Sequence, residues 1–221
     1  MKTWLVPACL VVIAILVFFA IALVEKKPIA WMNPASVPSD SLSHYSYPSM
    51  LVAQQPSVNL NLENAEESRD LKRISDLSTL QAEIGLYIQD TAHPDICVNT
   101  RTIYASAPIV APSGWVDGGS MGNTKTDGTG WLPVDIATIA SPAPMARLPV
   151  DPVNNGSEHL VYLYACDPVA GTYELDAVME SIKYGRAGAY DAVATDGGND
   201  PNAYELGTDK TLIPDNFWAQ Q

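Results

Sequence analysis

An α+β fold, one long amphipathic helix laid against a small antiparallel sheet, is predicted by three features of the 221-residue chain. Apolar residues recur at three- and four-residue steps from Leu62 to about Asp90. Two short stretches further on, "HLVYLYACD" and "GTYELDAV", alternate with period two around a turn. The chain between them is rich in Gly and Pro. Helix first and hairpin later, without βαβ alternation, is the pattern of that class.

The elements follow in order. Trp4 to Val24 is a 21-residue run without a charged side chain; as a helix it would be about 31 Å long, against a hydrocarbon core of about 30 Å. Residues 1–27 are therefore expected to be an N-terminal membrane anchor, with Cys9 an ordinary apolar residue inside it. A cleaved signal peptide is the rival reading, suggested by Lys2 and the small residues Ala20 and Ala22. The run exceeds the roughly 7 to 15 apolar residues of such a signal, which favours the anchor. Either way the rest of the chain is expected outside the cytoplasm. Residues 28–58, with Pro28, Pro34, Pro38, Pro48 and Pro56 among Ser, Asn and Tyr, read as a semi-rigid linker. Residues 59–221 are then one exported domain.

In that domain Leu71, Ile74, Leu77, Leu80, Ile84 and Tyr87 or Ile88 form the predicted apolar stripe of the helix. Asn61 is the expected N-cap, and His93-Pro94 supplies the stop. Glu66, Arg69, Asp70, Lys72, Arg73 and Asp76 are expected on a solvated face, with Lys72 and Asp76 an i,i+4 pair. Thr102 to Trp131 reads as loops anchored by Trp115 and Trp131. Its "GGSMGN" has neither the spacing nor the context of a dinucleotide-binding turn. A helical turn near Val134 to Ala140, the hairpin, and a last extended piece, "NAYELG", complete the domain.

With 12 Lys and Arg against 25 Asp and Glu, the formal charge is -13. A phosphate backbone would be repelled, so nucleic acid is not an expected partner, whereas divalent cations are natural counter-ions. Cys97 and Cys166 are an even number beyond the anchor, as one disulfide requires; two buried thiols are the alternative. No G-x-S-x-G, H-E-x-x-H, C-x-x-C or phosphate-binding loop occurs, and Pro94 separates His93 from Cys97. Catalysis is not expected.

The stretch "YDAVATDGGNDPNAYELGTDK" gathers Asp191, Asp196, Asn199, Asp200, Asn202, Glu205 and Asp209 around Gly197-Gly198. Its spacing is not that of an EF-hand. Calcium accepts about six to eight oxygens in irregular loops, and the same residues also make ordinary polar turns. Both readings stand on spacing alone.

The order of "SRDLKRISDLSTLQAEIGLYIQD", "RLPVDPVN", the hairpin and "TDGGNDPNAYELGT" resembles the head of type IV pilins, and more narrowly the major pseudopilin of type II secretion systems. The resemblance covers about Leu62 to Thr208. It implies a non-enzymatic structural or assembly subunit whose partners are other pilin-like or secretion-system proteins. It also implies calcium near the C-terminus, with Asp196, Asn199 and Asp200 as leading ligands and Asp191, Glu205 and Asp209 behind them. The first 24 residues lack the leader cleavage motif and the early glutamate of that family, so a tethered pilin-like head is expected rather than a conventional filament subunit. A calcium-stabilised adhesion module, using the Trp115 to Trp131 loop, is the second expectation.

Overall fold

The computed structural model describes residues 59–119, 121–140 and 145–218. The anchor and linker expected over 1–58 lie outside the described residues, and among those described no helix is long and apolar enough to cross a membrane. Helix α1 spans Leu60–Asp90. Its N-cap is Asn59, not Asn61: the Asn59 side chain accepts from the Asn61 N–H at 3.2 Å, two residues earlier than the spacing suggested. At the other end the Thr91 N–H closes on the Tyr87 carbonyl, before His93-Pro94 is reached. Thirty-one residues make a rod about 46 Å long, which needs a partner along one side.

That partner is a five-stranded sheet ordered β2-β1-β3-β4-β5. The strands are β1 Thr102–Ala105, β2 Val116–Asp117, β3 Tyr162–Asp167, β4 Thr172–Val178 and β5 Ala203–Gly207. The hairpin β3-β4 and the antiparallel β5 form where the alternation placed them. At the hairpin turn Asp167 Oδ1 accepts the Val169 and Ala170 N–H groups. Strands β1 and β2 correct the expectation of loops over Thr102 to Trp131, and they pair in parallel, so the sheet is mixed. β1 was hidden because all four of its residues are buried, leaving no alternation to read.

Tyr162, Tyr164, Tyr173, Leu175 and Ala177 face α1 and pack with Leu77, Leu80, Ile84 and Tyr87. Leu71, by contrast, is 53% exposed, so the predicted stripe is buried from Leu77 onward. Cys97 and Cys166, both buried against this core, are joined by a disulfide with Cα atoms 6.3 Å apart. The opposite face carries Ile103, Ala105, Leu163 and Ala165, covered by Ile213 and Phe217 of the C-terminal segment. Trp131 is a fully buried anchor whose indole N–H donates to the Pro149 carbonyl at 2.9 Å, while Trp115 is half-buried against Phe217.

The expected solvated face of α1 needs a larger correction. Asp70 and Arg73 are fully buried, and Asp76 is nearly so. Arg73 donates to Asp151 through Nε at 2.6 Å and Nη2 at 3.0 Å, and to Asp70 at 2.7 Å, with Glu180 Oε2 also 2.6 Å away. Asp151 accepts the Val153 and Asn154 N–H groups of its own turn and also neutralises the guanidinium. Burial opposes the charge on Arg73, but the bonds to Asp151, Asp70 and Glu180 outweigh it and hold its pKa above the ordinary arginine value. Asp76 accepts from the buried Tyr162 hydroxyl at 2.8 Å besides pairing with Lys72.

Candidate metal centre

Strand register, rather than the loop, gathers three buried carboxyl groups in the interior. Side chains alternate along a strand, so the Tyr173, Leu175 and Ala177 side chains that face α1 send Glu174 and Asp176 to the other face. β5 pairs Glu205 directly with Asp176, on that same second face. Oxygens of Glu174, Asp176 and Glu205 lie within 4.8 Å of one another, and the three residues are 0%, 4% and 0% exposed. Like charges directly opposite on paired strands repel, and burial removes the water that would screen them.

Some of these oxygens have partners. Glu205 Oε1 and Oε2 accept the Asn199 and Asp200 N–H groups at 3.1 and 2.9 Å. Glu174 Oε2 accepts the Ile213 N–H at 2.6 Å. Glu174 Oε1, Asp176 Oδ1 and Asn199 Oδ1 are buried without a hydrogen-bond partner. Among the described residues, no lysine, arginine or histidine forms an ion pair with any of the three carboxylates. Lys210 is close by in sequence, but its ammonium donates to the backbone carbonyl of Asp196.

The electrostatic result is a set of reluctant anions. Burial pushes Glu174 up to about 9, opposed by the Ile213 N–H and reinforced by the Glu205 carboxyl. Burial, with Glu174 and Glu205 adding repulsion, holds Asp176 well above the carboxylate range. Glu205 is raised by burial too, against the stabilising effect of Glu174 and the two loop N–H groups. For all three, burial favours the protonated form. A hard divalent cation would take the place of those protons, since such ions seek several oxygens, anionic ones first.

The loop is shaped around this cluster. Gly197 has φ +83°, a left-handed conformation, and a Cβ on Gly198 would overlap the Glu205 carboxylate. The close approach of backbone to carboxylate thus requires glycine at 198. Asn199 Nδ2 donates to the Ile213 carbonyl while Ile213 donates to Glu174, so one residue of the C-terminal segment is held from both sides.

No protein-family model, curated protein or solved structure matches this chain.

Of the six loop residues singled out in the sequence, Glu205 joins the convergent carboxylates. Asp196 stands beside them, accepting the Gly198 and Glu205 N–H groups. Asn199 donates its backbone N–H to Glu205, and its own Oδ1 is buried without a hydrogen-bond partner. Asp200 is buried and accepts the Asn202 N–H; burial raises its pKa, with Asp215 and Asp196 adding to the rise. Asp191 caps a separate turn, and the N–H groups of Ala194, Ala187 and Val193 hold its carboxyl below the usual range. Asp209 accepts from Thr211 in another turn. Glu174 and Asp176 were not singled out. The signal available was two carboxylates at i and i+2 of an otherwise apolar strand, which reads as a solvated face unless something covers it.

Proposed function

We propose that the domain is the exported head of a membrane-tethered, pilin-like structural or assembly protein, with a calcium ion locking its C-terminal half. The observation that carries this reading is the buried Glu174, Asp176 and Glu205 cluster, whose unpartnered oxygens fit a hard cation better than any described side chain does. Glu174, Asp176 and Glu205 would hold the ion, and Asn199 offers a further oxygen of the same loop. The ion would neutralise the repulsion between β4 and β5 and fasten the 196–213 region to the sheet. A long helix supported by a small sheet, with the cation near the C-terminus, is the arrangement that the pilin-like resemblance implies. Work is then done through protein contacts, by a rigid head carried on the expected anchor and linker.

The test is the thermal midpoint of the full-length chain in detergent, in calcium and in excess chelator. A ligand that binds only the folded state stabilises it by about 4 kcal/mol at a thousandfold excess over its Kd. We expect a saturable rise in the wild type and none in a Glu174→Gln, Asp176→Asn, Glu205→Gln variant. An unchanged midpoint in the wild type would remove the cation, and with it the main support for the reading.

A further inference from the structure

A second feature lies on the helix side of the sheet and owes nothing to the cation. The loop that follows β4 returns to the first two turns of α1 and leaves a groove of about 460 Å³ against them. Its walls include Leu60, Ile182, Ala189 and Tyr190, with Glu63 and Glu67 on the helix side. Leu60 is 72%, Ile182 63% and Tyr190 66% exposed, and Leu62 nearby is 53% exposed. Large apolar side chains exposed together, with polar groups at the rim, are the mark of a protein contact surface.

The groove is preformed. Glu63 Oε1 accepts the Lys183 N–H at 3.2 Å, Glu67 pairs with the Lys183 ammonium at 2.7 Å, and the Tyr190 N–H donates to the Lys183 carbonyl at 2.9 Å. Lys183 is fully engaged: besides Glu67, its ammonium stands 5.3 Å from the ring centres of Tyr184 and Tyr190. The helix side of the rim therefore keeps an acidic excess. An apolar floor rimmed by two carboxylates and a single ammonium is complementary to apolar and basic side chains presented together.

We propose that this groove docks a partner protein segment that places a bulky apolar side chain between Leu60, Ile182 and Tyr190, and a lysine or arginine against Glu63 and Glu67. The apolar anchor supplies most of the affinity, and the basic group supplies orientation and rate.

The experiment uses the full-length chain in detergent and a fluorescein-labelled amphipathic peptide of leucine and lysine, read by fluorescence anisotropy. Ile182→Ser with Tyr190→Ser should weaken binding about 10-fold, as loss of a central anchor does. Glu63→Gln should weaken it less and flatten its salt dependence. All three positions lie outside the core, so an unchanged thermal midpoint verifies folding. A leucine and glutamate peptide of the same pattern should not bind. Equal affinity for the wild type and the Ile182→Ser, Tyr190→Ser variant would overturn the proposal, leaving only diffuse attraction to an acidic protein. Stronger peptide binding after deletion of residues 28–58 would overturn it in favour of the chain's own preceding segment. Wild-type self-association that the same double variant abolishes would overturn it in favour of a second copy.

Discussion

Two buried charge clusters sit on opposite faces of the sheet, and they are resolved in different ways. On the α1 face Asp70, Asp151 and Glu180 surround Arg73, and Asp70 also accepts the Glu180 and Ser181 N–H groups and the Ser181 hydroxyl. Negative charge there is met by a guanidinium and a full set of hydrogen bonds, which a buried charge needs. On the other face Glu174, Asp176 and Glu205 converge with no basic side chain paired to them and with oxygens left bare. The first cluster is complete within the chain, whereas the second is completed by protons or by an added cation. The contrast separates a structural ion-pair network from a candidate cation site.

The largest expected effect tests the complete side of that comparison. Arg73→Met leaves Asp70 and Asp151 buried without their counter-ion, which costs about 3–5 kcal/mol. Urea denaturation in excess calcium should show it. A loss below about 1 kcal/mol would mean that water reaches the two carboxylates and that this network is not sealed.

Gly198→Ala probes the incomplete side with a single methyl. The new Cβ would overlap the Glu205 carboxylate, so loop or side chain must shift. Overpacking of this kind costs about 1–3 kcal/mol. The shift should also shrink the calcium-induced rise in thermal midpoint. A full calcium response with normal stability would place Glu205 outside the cation's ligands.

The smallest effect is a difference in pH slope. Glu174 holds its proton up to about 9 in the folded chain against an ordinary value of 4.5, so the folded state binds more protons than the unfolded one between those values. In chelator, stability should therefore fall as pH rises from about 4.5 towards 9. Glu180 has the opposite sign. Burial tends to raise its pKa, but Arg69 and Arg73 outweigh burial and lower it, so its contribution is present above about 4.5 and lost as pH falls below that. Excess calcium should flatten or reverse the alkaline decline without altering the acidic one. Chemical denaturation in chelator and in calcium across this range checks both slopes, and a calcium-independent alkaline decline would assign it to other groups.

Much of the fold was legible because its signals are local. The spacing of Leu77, Leu80 and Ile84 gives a helix of the observed face, and the alternation of "YLYACD" and "TYELDAV" gives the antiparallel hairpin. β1 was not legible: a four-residue strand buried on both faces has no period to detect. The polar residues of α1 misled for a related reason. Asp70 and Arg73 fall on a face that looks solvated until the chain around Asp151 and Glu180 packs over it. At the candidate metal centre, composition marked the loop that carries Glu205 and Asn199, but the two carboxylates of β4 came from thirty residues earlier and were assigned to no site.

The sequence by itself determined the helix, the hairpin, the acidic balance and the oxygen-rich glycine turn, because each depends on residues close together in the chain. Only the tertiary structure decided which carboxylates meet. β5 sets Glu205 opposite Asp176, and the C-terminal segment closes over the second face through Ile213 and Phe217. Burial then turns three ordinary acidic side chains into a centre that holds protons or calls for a cation. Burial is created by covering a surface, and the segment that covers this one begins after both strands have been written in the sequence.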